Sequence, residues 1–582
     1  MGIGLCGHEI SLLRKPMRIL LLSSAFNSLT QRIHAELRQR GHCVGVELAL
    51  GDDESLRAGV ARFRPELILA PMLTVAVPED IWSENTVLIV HPGPKGDRGP
   101  SALDWAISSG ATEWGVTVLQ AVAEMDAGPI WASESFVMRP CGKSELYRTE
   151  VADAAMCAVL RAVEFFEQGG FEPEPLDYDR PDVHGRQRPY HAQEFRRIDW
   201  SSDSTEMVLR KLRAADSQPG VLDELYGRQY FVHGGHREDR LRGAPGAVLA
   251  TRDGAICRAT VDGAVWLPRL RSRRIPGGPA TFKLPATAVI DRELLAGVPD
   301  LPISAAEAAT RDTWSELRYY ELENVGHLEF SFAGGAMSTD QCRRLLDAYR
   351  RACARPTTVL VLGPARDFFS NGIHLNVIEA AADPADESWR NVNAIDDLVE
   401  AILTTTDKLV ISALAGNAAA GGVMLALAAD EVWCREATVL NPHYRLMGLY
   451  GSEYWTYMLP RRVGTRQADR LMREALPVGA RAAEALGLVD LVVPGDVGEF
   501  RAWVRREAAT LSAAGSATAG RLLEKKHCRA VDEAAKPLAA YRSEELSRMR
   551  QHFYGAGEPY HRLRHDFVTN ARPSVTPAHI LG

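Results

Sequence analysis

The sequence predicts an α/β protein with an open, mostly parallel sheet at the N-terminus, a small β-barrel domain in the middle and a C-terminal α/β domain with a helical tail. Short apolar runs alternate with helical stretches over residues 17–170, and again from residue 327 to about residue 500. This alternation is typical of strands joined by helices. Between the two regions, short strand-like runs separated by glycine-containing turns are typical of a small barrel.

The first domain is assigned to residues 1–195 and includes a linker. Its apolar runs RILLLSS, ELILAPM, VLIVHP and GVTVLQ predict strands, and HAELRQRG and SALDWAISSG predict helices. The basic residues before ILLLSSA imitate a secretion signal, but the run is short and an amphipathic segment follows. We therefore interpret residues 1–16 as an extension. The polar, proline-rich stretch 171–195 predicts a linker.

The remaining boundaries follow from changes in pattern. Residues 196–285 begin with the helical segment EMVLRKLRAAD and continue with short strands, which predicts the barrel. Residues 286–320 predict a helical linker. Residues 321–582 form the last domain, whose long charged helices follow residue 500.

Composition excludes several classes of protein. The chain has 582 residues and a net charge of -8, from 67 basic and 75 acidic residues. No charge excess favours nucleic acid or a membrane surface as a partner. Nine cysteines without a CxxC pair argue against a disulfide framework or a zinc site. We expect a cytoplasmic enzyme without a metal, acting on small molecules.

The first candidate site combines His91, which directly follows a strand, with Asp126, which lies in a glycine turn 35 residues later. Both lie at strand ends, where open α/β sheets bind ligands. A histidine at such a position can donate to a developing oxyanion, and a carboxylate can orient it or accept a proton. A lone histidine after a strand is nevertheless more often structural than catalytic.

The strings RGPSALDWAI and DAGPI around these two residues resemble the formyltetrahydrofolate-dependent formyltransferases and deformylases. The resemblance implies that His91 and Asp126 act on the N10-formyl group of formyltetrahydrofolate. That family has an asparagine two residues before the histidine, where this chain has Ile89, so one oxyanion donor is missing. The segment that begins IDWSSDSTEMVLRKLRAAD resembles the C-terminal barrel of methionyl-tRNA formyltransferase.

The second candidate site lies in residues 409–430, an apolar stretch interrupted by Gly416, Asn417, Gly421 and Gly422. Hydropathy alone is compatible with a membrane helix, but the glycines and the asparagine disfavour this reading. The order strand, small-residue turn, helix predicts an oxyanion hole, because unpaired N–H groups at a helix start face a developing negative charge.

FFSNGIHLNVI and GNAAAGGVMLALAAD resemble the two oxyanion-hole segments of the crotonase superfamily, the enoyl-CoA hydratases and isomerases. The resemblance implies that the backbone N–H groups of Ile373 and Gly421 bind a thioester oxygen. It also implies that Gly372 and Gly422 contribute to CoA binding. A glycine-rich packing turn remains the structural alternative.

The glutamates of the hydratases fall here at Met424 and near His443, so simple hydration of an enoyl-CoA is disfavoured. The segment NPHYRLMGLYGSEYWTYMLP offers His443, Tyr444, Tyr450 and Glu453 instead. A carboxylate among aromatic residues is expected to be paired or to have a raised pKa. We assign Tyr444 and Glu453 to proton relay, whereas the later aromatics of this segment are as compatible with a core role.

HPGPKGDRGPSALDWAI, LYGSEYWTY and KPLAAYRSEELSRMRQHFY resemble the HypX (HoxX) family of hydrogenase-maturation proteins over nearly the full chain. The resemblance implies synthesis of carbon monoxide for the iron of [NiFe]-hydrogenase. A bifunctional enzyme would transfer formyl from N10-formyltetrahydrofolate to coenzyme A and then decarbonylate formyl-CoA. Other hydrogenase-maturation proteins are the expected protein partners. A covered passage between the sites is expected, because water would hydrolyse formyl-CoA.

Two alternatives stay open. In the first alternative, the product of the first site is formate or a formylated small molecule, and the second site acts on an unrelated acyl-CoA. Alternatively, the chain is a non-catalytic scaffold, because Ile89 and Met424 occupy positions usually held by catalytic residues. The sequence assigns no residue to the CoA phosphates, since arginine-rich runs such as LPRLRSRRIPGG are most often solvated surfaces.

Overall fold

A computed structural model describes residues 15–364 and 368–582, so most of the predicted N-terminal extension lies outside the described residues. The predicted fold class is confirmed: the structure is α/β, with two large sheet-containing domains, a small β-rich domain between them and a helical C-terminal region.

The N-terminal domain contains a six-stranded sheet in the order β2-β1-β3-β4-β5-β6, in which β1 to β4 are parallel and β5 and β6 antiparallel. The elements are β1 (Arg18–Ser23), α1 (Ser28–Gln39), β2 (Cys43–Leu48), α2 (Asp53–Phe63), β3 (Leu67–Pro71), α3 (Glu79–Glu84), β4 (Val87–His91), α4 (Ala102–Ser109), β5 (Glu113–Gln120), β6 (Ile130–Val137), α5 (Lys143–Arg148) and α6 (Glu150–Gln168). The central strands are almost wholly buried because helices cover both faces.

The middle domain has two four-stranded antiparallel sheets, compatible with the small barrel that we predicted. The elements are α7 (Gln193–Arg196), α8 (Thr205–Ala215), β7 (Val221–Leu225), β8 (Arg228–His233), β9 (His236–Glu238), β10 (Val248–Arg252), β11 (Ala255–Ala259), β12 (Ala264–Leu267), β13 (Arg269–Ser272), β14 (Leu284–Pro285) and α9 (Ala286–Val289). The apolar face of α8 packs on the strands and closes one hydrophobic core.

The predicted helical linker, residues 286–320, is wrong in its helical content. It holds α9, a 3-10 turn at Arg292–Leu295 and α10 (Ala305–Ala308), each of four residues, and the next strand already begins at Leu317. Pro299 and Pro302 explain the difference, because proline lacks the N–H that a continuous helix needs.

The C-terminal domain contains a six-stranded and a four-stranded sheet, in the orders β15-β16-β17-β19-β21-β24 and β18-β20-β22-β23. The elements are β15 (Leu317–Leu322), β16 (Val325–Phe330), α11 (Thr339–Cys353), β17 (Val359–Pro364), β18 (Phe368–Ser370), α12 (Leu375–Glu379), α13 (Pro384–Thr404), β19 (Leu409–Leu414), β20 (Asn417–Ala419), α14 (Gly421–Leu427), β21 (Glu431–Arg435), β22 (Val439–Asn441), α15 (Trp455–Val463), α16 (Thr465–Glu474), β23 (Val478–Gly479), α17 (Ala480–Ala485), β24 (Leu491–Val493), α18 (Val497–Ala513), α19 (Ser516–Ala535), α20 (Leu538–Tyr554) and α21 (Tyr560–Val568).

The apolar stretch that we weighed as a membrane helix is β19, β20 and the seven-residue helix α14. Across residues 15–364 and 368–582, no helix is long and apolar enough to cross a membrane.

The last residues of the chain return to the N-terminal domain. Thr576 accepts a hydrogen bond from the backbone of Leu48 and donates one to Glu47, and Ile580 packs in the N-terminal core. The single assignment of residues 321–582 to the last domain is therefore too simple, because this segment completes the first domain.

An ion triad joins the two large domains. The Asp153 carboxylate accepts hydrogen bonds from Arg32 at 2.6 Å and from Arg435 of β21 at 2.8 Å. Burial raises the pKa of Asp153, but the charges and hydrogen bonds of the two arginines lower it more, so this pKa lies below the usual aspartate value. The triad stabilises the interface at neutral pH, and this contribution is lost as the pH falls through the pKa of Asp153.

We expect Asp153→Asn to weaken this interface by about 2 kcal/mol, because the nearly buried Arg435 loses a charge-assisted hydrogen bond. Hydrogen exchange of α1 and β21 should become faster at neutral pH. Arg57→Gln is the control, because it removes an exposed pair with Asp80, and exposed pairs contribute little to stability. Equal exchange in wild type and Asp153→Asn would contradict this role.

Candidate functional site

The N-terminal site is built around His91, the last residue of β4. Its Nδ1 atom lies 3.6 Å from an Asp126 oxygen, and its Nε2 atom lies 3.1 Å from an Asp97 oxygen. The structure thus brings the two predicted residues together. It also adds a second carboxylate, that of Asp97, whose hydrogen bond to Nε2 fixes the imidazole orientation, while Nδ1 faces Asp126.

Asp97 is a residue that the sequence analysis missed. It is almost fully buried, and the loop that carries it folds back onto His91 at Gly93. A Cβ atom at Gly93 would lie 2.5 Å from the Asp97 carboxylate and 2.6 Å from the His91 ring, so only glycine allows this approach. The glycines of HPGPKGD were the available signal, but they do not indicate which side chain the turn brings to the ring.

The predicted linker packs against the loop that carries Asp97. Gly185 donates a backbone hydrogen bond to Lys95 at 2.9 Å, and the Lys95 amine pairs with Glu174 at 3.0 Å and with Asp182 at 2.8 Å. A Cβ atom at Gly185 would lie 1.8 Å from the Asp97 nitrogen. The segment therefore packs tightly on the loop that positions Asp97, and the expectation of a simple linker is wrong for it.

The cavity beside His91, here called the N-terminal cavity, has a volume of about 270 Å³. Ile89 is part of its lining, so an apolar side chain occupies the place of the family's asparagine. Asp126 has a φ of +55°, and its carboxylate accepts a hydrogen bond from the Gly99 N–H at 3.2 Å. Tyr147 also lines the cavity, and burial raises the pKa of its phenol, which keeps the hydroxyl a hydrogen-bond donor.

In the C-terminal site, the two predicted backbone amides face one cavity, here called the C-terminal cavity, of about 520 Å³. Ile373 and Gly421 both line it, and neither N–H has a hydrogen-bond acceptor within the described ranges. Ala420, with a φ of +46°, turns the chain into α14 at this point. Buried N–H groups without partners are rare, and such a pair is suited to bind a carbonyl oxygen.

Gly372 and Gly422 lie behind these amides rather than in the cavity lining. A Cβ atom at Gly372 would lie 3.1 Å from the Gly421 nitrogen, and one at Gly422 would lie 2.0 Å from the Ser370 carbonyl oxygen. Their absent side chains allow the two segments to meet. A direct role in CoA binding, as the sequence predicts, stays a prediction.

Glu453 places one carboxylate oxygen next to Gly421 in the C-terminal cavity. A Cβ atom at Gly421 would lie 2.2 Å from Glu453 Oε1, and within the described part of the chain Oε1 accepts no hydrogen bond. The other oxygen, Oε2, accepts hydrogen bonds from the Tyr444 hydroxyl at 2.9 Å and from the Ser452 backbone N–H at 3.1 Å. The carboxylate is thus held at one oxygen and available at the other.

Burial raises the pKa of Glu453 to about 6, against the hydrogen bonds from Tyr444 and Ser452, which lower it. Burial and the Glu453 charge also raise the pKa of Tyr444 well above its usual value. At neutral pH this pair is an ionised carboxylate and a neutral phenol. The arrangement provides a general base beside two oxyanion donors.

The other side chains of this segment have different positions. His443 lines the cavity, and its Nδ1 atom lies 2.9 Å from the Asn441 carbonyl oxygen. Tyr450 is not part of the lining and contacts Trp455 and Arg548 instead. Met424 is fully buried in the core.

A third cavity of about 290 Å³, the junction cavity, lies between the other two. It shares Met72 and Tyr147 with the N-terminal cavity and shares Asn27 and Ser28 with the C-terminal cavity. The three cavities therefore form a series from His91 to Glu453. The shared residues place the cavities side by side, and the covered passage between them stays a prediction.

Cationic side chains from different domains line this series. Arg148 lines the junction cavity and stacks on Phe368 at 4.6 Å, and Arg269 and Lys283 line the C-terminal cavity. Burial, together with the charge of Arg269, lowers the pKa of Lys283 to about 8. The sequence analysis set Arg269 aside with the run LPRLRSRRIPGG as solvated surface, whereas the structure places it in the cavity lining beside Lys283. It gave no signal that Arg148, from another domain, lies nearby.

In residues 15–364 and 368–582, no group of three or more histidine, cysteine, aspartate or glutamate side chains could hold a metal ion. The expectation of a metal-free enzyme stays a prediction.

Comparisons with known proteins match two families to separate parts of the chain. The pattern of the enoyl-CoA hydratase/isomerase family matches residues 335–552, and that of the formyl transferase C-terminal domain matches residues 192–277. The hydrogenase maturation factor HoxX of Bradyrhizobium diazoefficiens is 50% identical over 567 residues, or 97% of each chain. A methionyl-tRNA formyltransferase of Roseiflexus castenholzii is 31% identical over 29% of this chain and 53% of its own length.

Among solved structures, HypX from Aquifex aeolicus in complex with tetrahydrofolic acid is 43% identical. It superposes with a TM-score of 0.93 and covers 97% of this chain and 98% of its own.

Gly421→Ala should lower the thermal unfolding midpoint, because the added methyl group clashes with Glu453 and overpacking typically costs about 1 to 3 kcal/mol. Gly520→Ala is the matched control. It lies in α19 with open space around it, and the same substitution should stabilise by about 0.5 to 1 kcal/mol. An unchanged midpoint for Gly421→Ala would show that Glu453 does not pack against this glycine.

Proposed function

Because this chain belongs to the family of the hydrogenase maturation factors HoxX and HypX, we propose that it makes carbon monoxide in two steps from N10-formyltetrahydrofolate and coenzyme A. The series of three cavities between His91 and Glu453 is the observation that carries this proposal. A thioester formed at the first site can move to the second without leaving the protein.

The first step transfers formyl to the CoA thiol in the N-terminal cavity. The sulfur attacks the formyl carbon, the carbon–nitrogen bond breaks, and the thiol proton goes to N10. His91 donates to the oxyanion, Asp126 assists proton transfer, and Asp97 keeps the ring in place. The products are formyl-CoA and tetrahydrofolate, the latter being the ligand of the solved relative.

Ile89 leaves this step without the amide donor of the related formyltransferases. Tyr147 is our candidate for a replacement, since it lines both the N-terminal and the junction cavity and its hydroxyl stays protonated. A hydroxyl donor at this position would contact the carbonyl as the thiol approaches from the junction.

The second step takes place in the C-terminal cavity. The formyl oxygen accepts hydrogen bonds from the N–H groups of Ile373 and Gly421, and Glu453 Oε1 removes the formyl hydrogen as a proton. The carbon–sulfur bond breaks with its electron pair moving to sulfur, and carbon monoxide leaves. The proton returns from Glu453 to the thiolate, with Tyr444 holding Oε2, so atoms and charges balance.

A formyl group is suited to this reaction because its carbonyl carbon carries a hydrogen. Each oxyanion donor contributes about 3 to 4 kcal/mol to lowering such a barrier when water is excluded. Met424, which replaces a hydratase glutamate, is buried and adds no second carboxylate to activate water. These features favour decarbonylation over hydrolysis.

The cations along the cavity series fit the phosphates of coenzyme A. Arg148, Arg269 and Lys283 come from two domains and meet where a long, anionic ligand would pass. We therefore assign the CoA phosphates to this cluster and the thiol end to the cavities.

With formyl-labelled folate and unlabelled CoA, the wild type should release labelled carbon monoxide, measured by trapping on reduced myoglobin. Glu453→Gln keeps the shape of the side chain but not its basicity. We expect it to slow carbon monoxide release by about 100-fold or more while labelled formyl-CoA accumulates.

His91→Ala is the complementary variant, because it should form little labelled formyl-CoA and yet release carbon monoxide from added formyl-CoA. Label recovered only as formate in the wild type would rule out the proposed product. Unimpaired hydrogenase maturation with both variants would support the scaffold alternative.

A further inference from the structure

Two buried carboxyl groups near the C-terminal site have no part in the mechanism above. Asp396 of α13 and Glu545 of α20 are fully buried, and they lie beside Glu453, which is 2% exposed. Three carboxyl groups in such a place cannot all be ionised without a large free-energy penalty. Which of the three carboxyl groups carries a proton therefore determines whether Glu453 is ionised and can act as the base.

Both carboxyl groups hold a strained piece of backbone. Glu453 and Tyr454 each have a φ of +59°, a region that side-chain-bearing residues rarely adopt. Asp396 Oδ1 accepts a hydrogen bond from the Glu453 N–H at 2.9 Å, and Glu545 accepts one from the Tyr454 N–H at 2.9 Å. This structural role is common to both, but only Asp396 has a further contact toward the base.

That contact is the Ser452 hydroxyl, whose oxygen lies 3.1 Å from Asp396 Oδ1 and 3.1 Å from Glu453 Oε2. A hydroxyl has one hydrogen, so it can donate to only one of two carboxylates at a time. Both contacts are hydrogen bonds only if one carboxyl group carries a proton and donates it to the serine. The geometry thus favours one proton for the two acids.

The surroundings of Asp396 favour that group as the carrier. Its Oδ2 atom has no hydrogen-bond partner within the described residues and lies 3.9 Å from Arg542 Nε. Arg542 is already engaged, at 2.6 Å with Asp397 and at 3.0 Å with Glu400. A charged Asp396 would therefore lack a dedicated counter-ion, whereas a protonated Oδ1 can donate to Ser452.

We propose that Asp396 and Glu453 share one proton through the Ser452 hydroxyl, and that Asp396 is a positioning residue that holds this proton while Glu453 remains an ionised base. The inference rests on the proposed role of Glu453 as the base. The hydrogen of Ser452 then points to Glu453 Oε2, and Oε1 stays available for the formyl hydrogen.

The electrostatic environment agrees with this order. Burial, followed by the charges of Glu453 and Glu545, raises the pKa of Asp396 well above its usual value, and Arg542 opposes them only in part. Burial raises the pKa of Glu453 to about 6 and that of Glu545 to about 7. Cys342 of α11 also faces this group, and burial keeps it a neutral thiol. Because the two acids are linked, their titration belongs to the pair.

The first test needs no substrate. Wild-type protein labelled with heavy carbon in the aspartate side-chain carboxyl should show an isotope-shifted carboxylic-acid band in its infrared spectrum at neutral pH. Asp396→Asn should remove this band. Glu545→Gln is the matched control, because it removes a neighbouring buried acid outside the serine contact and should leave the aspartic-acid band in place.

The second test is the pH dependence of carbon monoxide release from added formyl-CoA. The wild type should have an acid limb and an alkaline limb, the latter falling about tenfold for each pH unit as the pair loses its shared proton. Asp396→Asn should lose the alkaline limb. Ser452→Ala should move the acid limb to higher pH, because Glu453 loses a hydrogen bond that favours its ionised form.

An absent aspartic-acid band in the wild type would overturn the proposal even if carbon monoxide is formed. So would an alkaline limb that persists in Asp396→Asn. If Asp396→Asn does not fold, two observations on the labelled protein decide whether Asp396 holds the proton. The aspartic-acid band should be present in the wild type, and it should shift in Ser452→Ala, since the acid then loses its hydrogen-bond acceptor. A band without any carbon monoxide release would instead count against the proposed function alone.

Discussion

The position of helix α1 is the constraint on which the two-site arrangement depends. The helix belongs to the N-terminal domain, yet Ser28 and Gln31 form part of the C-terminal cavity wall. The next residue, Arg32, is tied to Asp153, which also binds Arg435 of the C-terminal domain. One partly buried ion triad thus ties the helix that lines the C-terminal cavity to both domains, and Ser28 of the same helix also lines the junction cavity. The C-terminal residues that pack on the N-terminal core strengthen the same interface.

In the proposed mechanism, the two sites act on the same carbonyl group in different surroundings. In the N-terminal site, His91 lies between two carboxylates, an arrangement that suits donation to an oxyanion and proton transfer to a nitrogen. In the C-terminal site, two backbone amides face the cavity, and the Glu453 carboxylate beside them is buried and held at its other oxygen. The first environment suits group transfer, and the second suits removal of a hydrogen that is not normally acidic.

The sequence predicted the fold class. It also identified residues that line the two cavities, because they lie in segments with a recognisable order of strand, turn and helix. These residues are His91, Asp126, Ile373, Gly421, Tyr444 and Glu453. It did not predict Asp97, since a glycine turn does not reveal which neighbour folds back on the ring. Asp396 lies 57 residues before Glu453, and its hydrogen bond to that backbone depends on tertiary packing. Of the cations along the cavity series, Arg269 lies in an arginine-rich run that looked like solvated surface, and only the tertiary packing brings Arg148 of the first domain near it. The prediction of a helical linker was wrong for a local reason. It followed the apolar pattern and gave too little weight to two prolines that interrupt a helix.

The central claim is that formyl-CoA passes between the sites inside one chain. Isotope dilution tests this most directly: the enzyme receives labelled formyltetrahydrofolate and CoA together with an excess of unlabelled formyl-CoA in solution. If the intermediate moves through the cavity series, the carbon monoxide formed from the folate retains its label at nearly the undiluted level. Carbon monoxide whose label is diluted in proportion to the added formyl-CoA would contradict the account, because it would show that the thioester leaves the protein before it reacts.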